Sequence, residues 1–214
     1  MTRRVAIYLF ADVEVLDFAG PYEVFTTASR VFARQRSGAQ APFAVCTIAR
    51  EKAPVRARAG LVVWPDHGFA DAPPIDLLLV PGGVVSDELE RADVVAWIAA
   101  THRRAELTAS VCTGAFLLAR AGLFAPGDAV TTHWEDLADL RAAFPGLEVR
   151  GDRRWIDNGR VVTSAGISAG IDMSLHLVER LAGRELAEAT ARQMDVAWRA
   201  QGREAANEPR VPGP

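Results

Sequence analysis

Short apolar runs that alternate with segments of helical periodicity constrain the fold of this chain more than any other feature of its sequence. The clearest runs are residues 5–10, 43–49, 77–80 and 107–111, with a shorter one at 61–64. Continuous apolar runs of this length are typical of parallel strands that are buried on both faces. Strands that alternate with helices predict an α/β fold, a mostly parallel sheet with helices on both faces. In such sheets the functional groups lie at the carboxyl ends of the strands.

Turn and helix signals complete this outline. Gly20-Pro21 predicts the start of the first helix, because Pro suits the first helical position. Asn158-Gly159 predicts a hairpin over residues 154–164. Further helices are expected around residues 94–99, 171–181 and 185–198.

Composition excludes several classes of protein. The 214 residues predict one domain over 1–203 with a flexible tail over 204–214. A net charge of −3 gives no reason to expect a nucleic-acid partner. No segment is long enough for a membrane span, and the Cys and His spacing predicts neither a disulfide framework nor a metal site. We expect a protein without metal or cofactor. We also expect it to be cytoplasmic, and in the cytoplasm its thiols would stay reduced.

The junction after the run 107–111 is the strongest candidate for chemistry. The run ends at Cys112, and small residues that begin a helix follow at once with Thr113 and Gly114. Free N–H groups at a helix start favour the thiolate, so Cys112 is the expected nucleophile. The alternative is a small buried hydrophobic residue, and this second interpretation fits Cys46, which lies inside an apolar strand.

An acid and a glycine pair are expected at the same edge of the sheet. Asp17 lies among apolar residues before the predicted helix, so burial would raise its pKa and let it relay a proton. The alternative role of Asp17 is that of a helix cap. Glu23 is a second candidate acid, which is expected to face solvent. The glycines after Pro81, Gly82 and Gly83, bring backbone N–H groups close to a ligand, as an oxyanion hole requires, or form only a tight turn.

Thr113 and His133 complete the predicted site. The Thr113 N–H is a second oxyanion donor, and its hydroxyl is expected to orient Asp17 or a water, unless it only caps the helix. His133 is grouped with the substrate-binding glycines, and two roles stay open for it: activation of the thiol, or hydrogen bonding beside Trp134. Asp172, in the first turn of a later helix, is expected to interact with the helix dipole.

These motifs together resemble the ThiJ/PfpI superfamily over roughly residues 3–200. The resemblance rests on Asp17 with Gly20-Pro21, the 81–83 turn, the 111–114 junction, and the segments 131–134 and 165–172, in that order. It implies a flavodoxin-like three-layer sandwich, a nucleophile-elbow cysteine and a homodimer. Peptidase-like members have His where this chain has Thr113, and many members have Glu where it has Asp17.

The combination of Asp17, Cys112-Thr113-Gly114 and the 131–134 segment is most similar to the isocyanide hydratase branch. The resemblance implies hydration of an isocyanide, a small molecule, to an N-substituted formamide through a covalent thioimidate. Two alternatives stay open: a glyoxalase or deglycase acting on reactive carbonyls, and a non-enzymatic small-molecule or redox sensor. The sensor domains of AraC-type regulators carry the same motifs but continue into a helix-turn-helix region, for which this sequence has no room, so a DNA-binding regulator is not expected.

Overall fold

A seven-stranded sheet forms the centre of the structure, a computed structural model in which residues 1–200 are described. The strands are β1 (Arg3–Leu9), β2 (Phe43–Ala49), β3 (Val55–Arg56), β4 (Val62–Val63), β5 (His67–Gly68), β6 (Leu77–Val80), β7 (Leu107–Val111), β8 (Ala129–Val130), β9 (Glu148–Val149), β10 (Trp155–Asp157) and β11 (Val161–Ser164). The main sheet has the order β10-β11-β7-β6-β1-β2-β5. All its pairs are parallel except β10 with β11. The predicted mostly parallel sheet is confirmed.

Helices cover both faces of this sheet. They are α1 (Val15–Gln35), α2 (Ser86–Glu90), α3 (Ala92–Arg104), α4 (Gly114–Arg120), α5 (Leu137–Ala143), α6 (Ala169–Ala182) and α7 (Arg184–Gln193). Helix α1 packs against α6 and α7, whereas α4 packs against α2 and α3. The core lies between these layers, and the central strands β1, β6 and β7 supply side chains that are almost fully buried. The fold is the expected flavodoxin-like α/β sandwich.

The start of the first helix differs from the sequence-based prediction. Helix α1 begins at Val15, and Pro21 lies inside it instead of at its first position. Asp17 is therefore in the first turn of α1 and not in a loop before it. Contacts from distant residues hold this start: the Glu14 N–H donates to the carbonyl of Gly82 (2.9 Å), and no side-chain cap is present. A local signal such as Gly-Pro does not indicate a helix start that is fixed by contacts with distant residues.

Two further differences concern the later part of the chain. Helix α7 ends at Gln193, so the helix expected over 185–198 is too long, and residues up to Arg199 form an irregular segment packed back on α6. The expected strand at 61–64 is shorter, at Val62–Val63, and pairs with β3 outside the main sheet. The predicted tail at 204–214 lies outside the described residues.

Candidate active site

Cys112 stands at a sharp turn between β7 and α4. Its backbone is in the left-handed region, with φ of +56°, which a non-glycine residue rarely adopts without support from its surroundings. That support comes from two distant segments. The Cys112 N–H donates to the carbonyl of Ser164 (3.1 Å), and the Thr132 hydroxyl donates to the carbonyl of Cys112 (2.9 Å). The geometry is that of a nucleophile elbow.

Two glycines let the elbow sit directly on the end of the neighbouring strand. A Cβ atom on Gly82 would lie 2.7 Å from the Cβ of Cys112. A Cβ atom on Gly114 would lie 2.2 Å from the carbonyl oxygen of Val80. Both distances are far below van der Waals contact, so only glycine allows this approach of the elbow to β6.

Asp17 is the buried acid of the site. Its side chain is 0% exposed, and its Oδ2 accepts a hydrogen bond from the N–H of Gly82 (3.1 Å). Its Oδ1 is also buried and has no hydrogen-bond partner among the described residues. Burial raises the pKa of Asp17 from 3.8 to about 7, against the opposing effect of the Gly82 N–H. A carboxyl group with this pKa can both give and take a proton near neutral pH.

The Cys112 thiol lies beside this acid, and the two groups influence each other's ionisation. Burial and then the charge of Asp17 raise the pKa of Cys112 from 9.0 to about 12, although the N–H of Thr113 opposes both effects. In turn, interaction with the Cys112 thiol lowers the pKa of Asp17. The predicted effect of the helix start is present, because the Thr113 N–H lowers the pKa of Cys112, but burial and the charge of Asp17 act in the opposite direction.

The predicted oxyanion donors Gly82 and Gly83 are already occupied. The Gly82 N–H donates to Asp17, and the Gly83 N–H donates to the hydroxyl of Thr113 (2.9 Å). The same hydroxyl donates to the carbonyl of Gly83 (2.9 Å). Thr113 therefore fastens the 81–83 turn to the elbow and neither caps α4 nor orients Asp17. Its backbone N–H interacts with the thiol and lowers the pKa of Cys112, so it stays a candidate oxyanion donor.

His133 lies close to the site, next to the turn that precedes α6. A Cβ atom on Gly166 would lie 2.0 Å from Cδ2 of the His133 ring. The Nδ1 atom of His133 faces the carboxylates of Asp136 (3.4 Å) and Glu135 (3.6 Å). The charge of Asp136 is also felt by Cys112, whose pKa it raises. The ring is thus held by acids at the border of the site.

The remaining candidates from the sequence lie away from the thiol. Cys46 is buried in β2 and belongs to the core. Glu23 binds Arg30 (2.6 Å) at the surface, as expected. Asp172 is buried and paired with Arg154 (2.6 Å), so it is more than the partner of a helix dipole.

Sequence reasoning missed the residues that act through the backbone or from a distance. Thr132 and Ser164 hold the elbow, and their only sequence signal was membership of a motif or of a strand end. The backbone N–H of Ile167 lowers the pKa of Asp17, whereas the charge of Glu14 raises it. Ile167 has φ of +52°. This conformation is usual for glycine, so an isoleucine gives no sequence signal for it.

Residues 1–200 contain no group of three or more His, Cys, Asp or Glu side chains arranged to hold a metal ion. Within the same residues, no helix has the length and apolar character needed to cross a membrane.

Known proteins resemble this chain over nearly its whole length. The isonitrile hydratase of Pseudomonas putida is 32% identical over 200 residues, which are 92% of this chain and 80% of the relative. The HTH-type transcriptional regulator GbdR of Pseudomonas aeruginosa is 38% identical over 143 residues. That match spans 67% of this chain but only 38% of the regulator. The relatives therefore include both an enzyme and a regulator.

Solved structures and a family model agree on the fold. A ThiJ/PfpI family protein from Pseudomonas syringae has a TM-score of 0.80 at 25% identity, covering 100% of this chain and 80% of that one. DJ-1beta of Drosophila melanogaster has a TM-score of 0.75 at 21% identity, covering 92% and 100%, and supports the fold alone. The model of the DJ-1/PfpI family matches residues 3–180. This chain is a member of the DJ-1/PfpI family.

Proposed function

We propose that this protein hydrates an isocyanide to an N-substituted formamide by covalent catalysis at Cys112. The observation that carries the proposal is the pairing of the elbow thiol with Asp17, a fully buried carboxyl group whose Oδ1 has no partner among the described residues. The similarity to an isonitrile hydratase over 92% of the chain supports the choice of substrate.

Asp17 is suited to move the proton of the first step. As Sγ of Cys112 bonds to the terminal carbon of R–N≡C, the Asp17 carboxylate takes the thiol proton and delivers it to that carbon. The product is the thioimidate R–N=CH–S–Cys112, in which no atom has been lost. A pKa of about 7 lets Asp17 act as base and then as acid in this sequence. The Thr113 N–H, which interacts with the thiol, would stabilise negative charge that develops there.

Water completes the reaction at the same carbon. Asp17 takes a proton from the water, whose oxygen adds to the thioimidate carbon, and the proton passes to nitrogen. The adduct R–NH–CH(OH)–S–Cys112 then collapses to R–NH–CHO and the free thiol. The sum is one isocyanide and one water converted to one formamide. The Thr113 hydroxyl was expected to orient this water. Because it bonds both backbone groups of Gly83, the proposal assigns the water to Asp17 alone.

The proposal is tested by comparing two substrates with two cysteine variants. Formamide release from cyclohexyl isocyanide and consumption of methylglyoxal are measured for the wild type, Cys112→Ala and the matched control Cys46→Ala. We expect the isocyanide to be the better substrate, Cys112→Ala to lose at least about 10³-fold in kcat/KM, and Cys46→Ala to retain its rate. Turnover of isocyanide by Cys112→Ala, or faster turnover of methylglyoxal, would contradict the proposal.

A small-molecule sensor is the second candidate. It is favoured by the match to GbdR, which at 38% exceeds the identity to the hydratase, over a shorter segment. A sensor would be stabilised by a ligand without converting it. Thermal unfolding with each compound of a small electrophile panel, followed by product analysis, separates the two: a raised Tm without turnover indicates a sensor.

Two general predictions accompany this function. The family resemblance leads us to expect a homodimer, which light scattering on the purified protein measures. A cytoplasmic location stays a prediction, which fractionation of the source cells would test.

A further inference from the structure

A cavity of about 470 Å³ lies between helix α3 and the segment 69–76, which joins β5 to β6. It lies at the amino end of β6, because Asp76 lines it and β6 begins at the next residue, Leu77. In the sheet, Leu77 is opposite Leu107, the first residue of β7. Cys112 follows the last residue of β7, so the length of this strand, about 16 Å, separates the cavity from the thiol. The two lie at opposite edges of the sheet.

Aromatic and proline residues supply the apolar surface of this cavity. Phe69 and Trp97 both line it, and their rings are stacked with centres 4.1 Å apart and an angle of 6° between their planes. Pro73 and Pro74 add rigid apolar rings. A concave site of this volume, which combines aromatic surface with a few polar groups, is typical of small-molecule binding.

Thr101 also lines the cavity, and its hydrogen-bonding capacity is unused. The residue is 3% exposed, and its hydroxyl group is buried without a hydrogen-bond partner among residues 1–200. Such a group is unfavourable in a folded protein. Trp97, Thr101 and Arg104 follow one another on α3 at spacings of four and three residues, so they lie along one face of the helix. A ligand beside Trp97 and Arg104 would therefore lie next to Thr101 and offer its hydroxyl a partner.

Arg104 brings a positive charge to the cavity. Its guanidinium group forms no ion pair and no hydrogen bond with the part of the chain that the structure describes. The end of α3 does not depend on this cation, because Arg160 already donates to the carbonyl of His102 (2.7 Å). The acid of the cavity, Asp76, is engaged elsewhere, since its Oδ2 accepts the N–H of Arg4 (2.7 Å). The charge left for a ligand is that of Arg104, which is complementary to a carboxylate.

We propose that this cavity binds a small aromatic carboxylate. The carboxylate group pairs with the guanidinium group of Arg104, and the Thr101 hydroxyl donates to the same group. The aromatic ring packs against Trp97 and the two prolines, Pro73 and Pro74. This second site does not depend on the Asp17–Cys112 pair or on the reaction proposed there, so it can be tested without a turnover assay.

Isothermal titration calorimetry with phenylacetate tests the proposal. Phenylacetamide, which has the same ring without a charge, and 2-phenylethylamine, which has the opposite charge, are the matched probes. We expect phenylacetate to bind and both other probes to bind at least about tenfold more weakly, because hydrogen bonds between charged groups are the stronger ones. Absence of phenylacetate binding, or equal affinity for the three probes, would overturn the proposal.

Arg104→Met and Arg103→Met are the matched pair of variants. Both arginines are exposed at the end of α3, and of the two Arg104 lines the cavity. Each substitution removes one positive charge from the same turn of the helix. We expect Arg104→Met to raise the Kd for phenylacetate at least about tenfold and Arg103→Met to change it less than about twofold. Equal Kd values for the two variants would contradict the assignment of Arg104.

Two further variants locate the bound ligand. Thr101→Val removes a hydroxyl that has no partner among the described residues, so the variant should fold and bind phenylacetate about 2- to 10-fold more weakly. Cys112→Ala should keep the wild-type Kd, because the thiol lies at the other edge of the sheet. An unchanged Kd in Thr101→Val, or weaker binding by Cys112→Ala, would place the ligand elsewhere and overturn the proposal.

Discussion

Cys46 and Cys112 are almost equally hidden from solvent, at 9% and 8% exposed, yet they lie in very different surroundings. Cys46 lies in β2 with extended backbone, opposite Ala6 of β1. Burial raises its pKa to about 11, with a smaller contribution from Asp66. Cys112 has its pKa raised to about 12 for the same first reason. By burial and acidity alone, neither thiol stands out.

The difference lies in backbone conformation and in the neighbouring acid. Cys112 is held in a left-handed conformation, and it shares its surroundings with Asp17, which titrates near pH 7. Cys112 thus differs from Cys46 in lying beside a carboxyl group whose pKa is about 7. We expect the reactivity of Cys112 to depend on this proton acceptor, and the following variants test that dependence.

The largest expected effect follows the removal of this acceptor. Asp17→Asn keeps the shape of the side chain but removes the carboxyl group beside Cys112. We expect kcat/KM for isocyanide hydration to fall by about 10²- to 10⁴-fold, the range associated with general acid–base groups. Steady-state kinetics with Cys46→Ala as reference measure it. A loss below tenfold would mean that Asp17 is not the proton carrier.

The same substitution should change how stability depends on pH. The pKa of Asp17 is 3.8 in the unfolded chain and about 7 in the folded protein. As pH rises from about 4 to 7, the unfolded chain loses this proton first, so the free energy of unfolding falls, and above pH 7 it stays level. The fall amounts to at most about 4 kcal/mol.

Urea unfolding between pH 4 and 8 measures this effect as the difference between wild type and Asp17→Asn. The variant should gain stability relative to the wild type as pH rises, while Cys46→Ala should follow the wild-type pH dependence. Parallel curves for wild type and Asp17→Asn would show that the carboxyl group is not buried as described.

Two threonines, the half-buried Thr113 and the buried Thr101, extend the comparison from thiols to hydroxyls. Thr113 bonds both backbone groups of Gly83, whereas the hydroxyl of Thr101 is buried without a partner among the described residues. Thr113→Val should therefore cost about 1 kcal/mol of stability, because it removes the hydrogen bonds to the half-buried backbone groups of Gly83. Thr101→Val, the matched control, should be neutral or stabilising. Equal effects of the two substitutions in urea unfolding would contradict this account.

The smallest effect is expected at His133. Its Nδ1 faces Asp136 and Glu135, and its ring contacts the 165–168 turn, so we assign it a supporting role. His133→Asn should change kcat/KM for isocyanide hydration by less than about threefold, since no proton transfer depends on it. A loss near 10²-fold would return His133 to the catalytic machinery and weaken the role given to Asp17.

The strands and the elbow could be predicted because their signals are local. The runs Phe43–Ala49, Leu77–Val80 and Leu107–Val111 match β2, β6 and β7 residue for residue, since each is a buried apolar stretch. The start of α1 could not, because the Gly-Pro signal lies inside the helix and the true start is held by Gly82. Secondary structure set by distant contacts leaves no local pattern.

The site shows the same division. The sequence predicted that Cys112 and Asp17 lie together at one edge of the sheet, which the structure shows. It did not predict which group each backbone N–H of the site bonds. Gly83 was expected to offer its N–H to substrate, and the Thr113 hydroxyl takes it instead. Hydrogen-bond partners across a site depend on distances of tenths of an ångström between segments that are far apart in sequence, and a spacing pattern does not contain them.

The supports of the elbow also determine when the site can form. The carbonyl of Cys112 is held by Thr132, 20 residues later, and its N–H is held by Ser164, later still. Contacts with such sequence separation are made late, because the intervening chain must first be synthesised and its loop closed. The elbow that pairs the Cys112 thiol with Asp17 therefore requires the chain as far as Ser164, so we expect it to form only after β11 has joined the sheet.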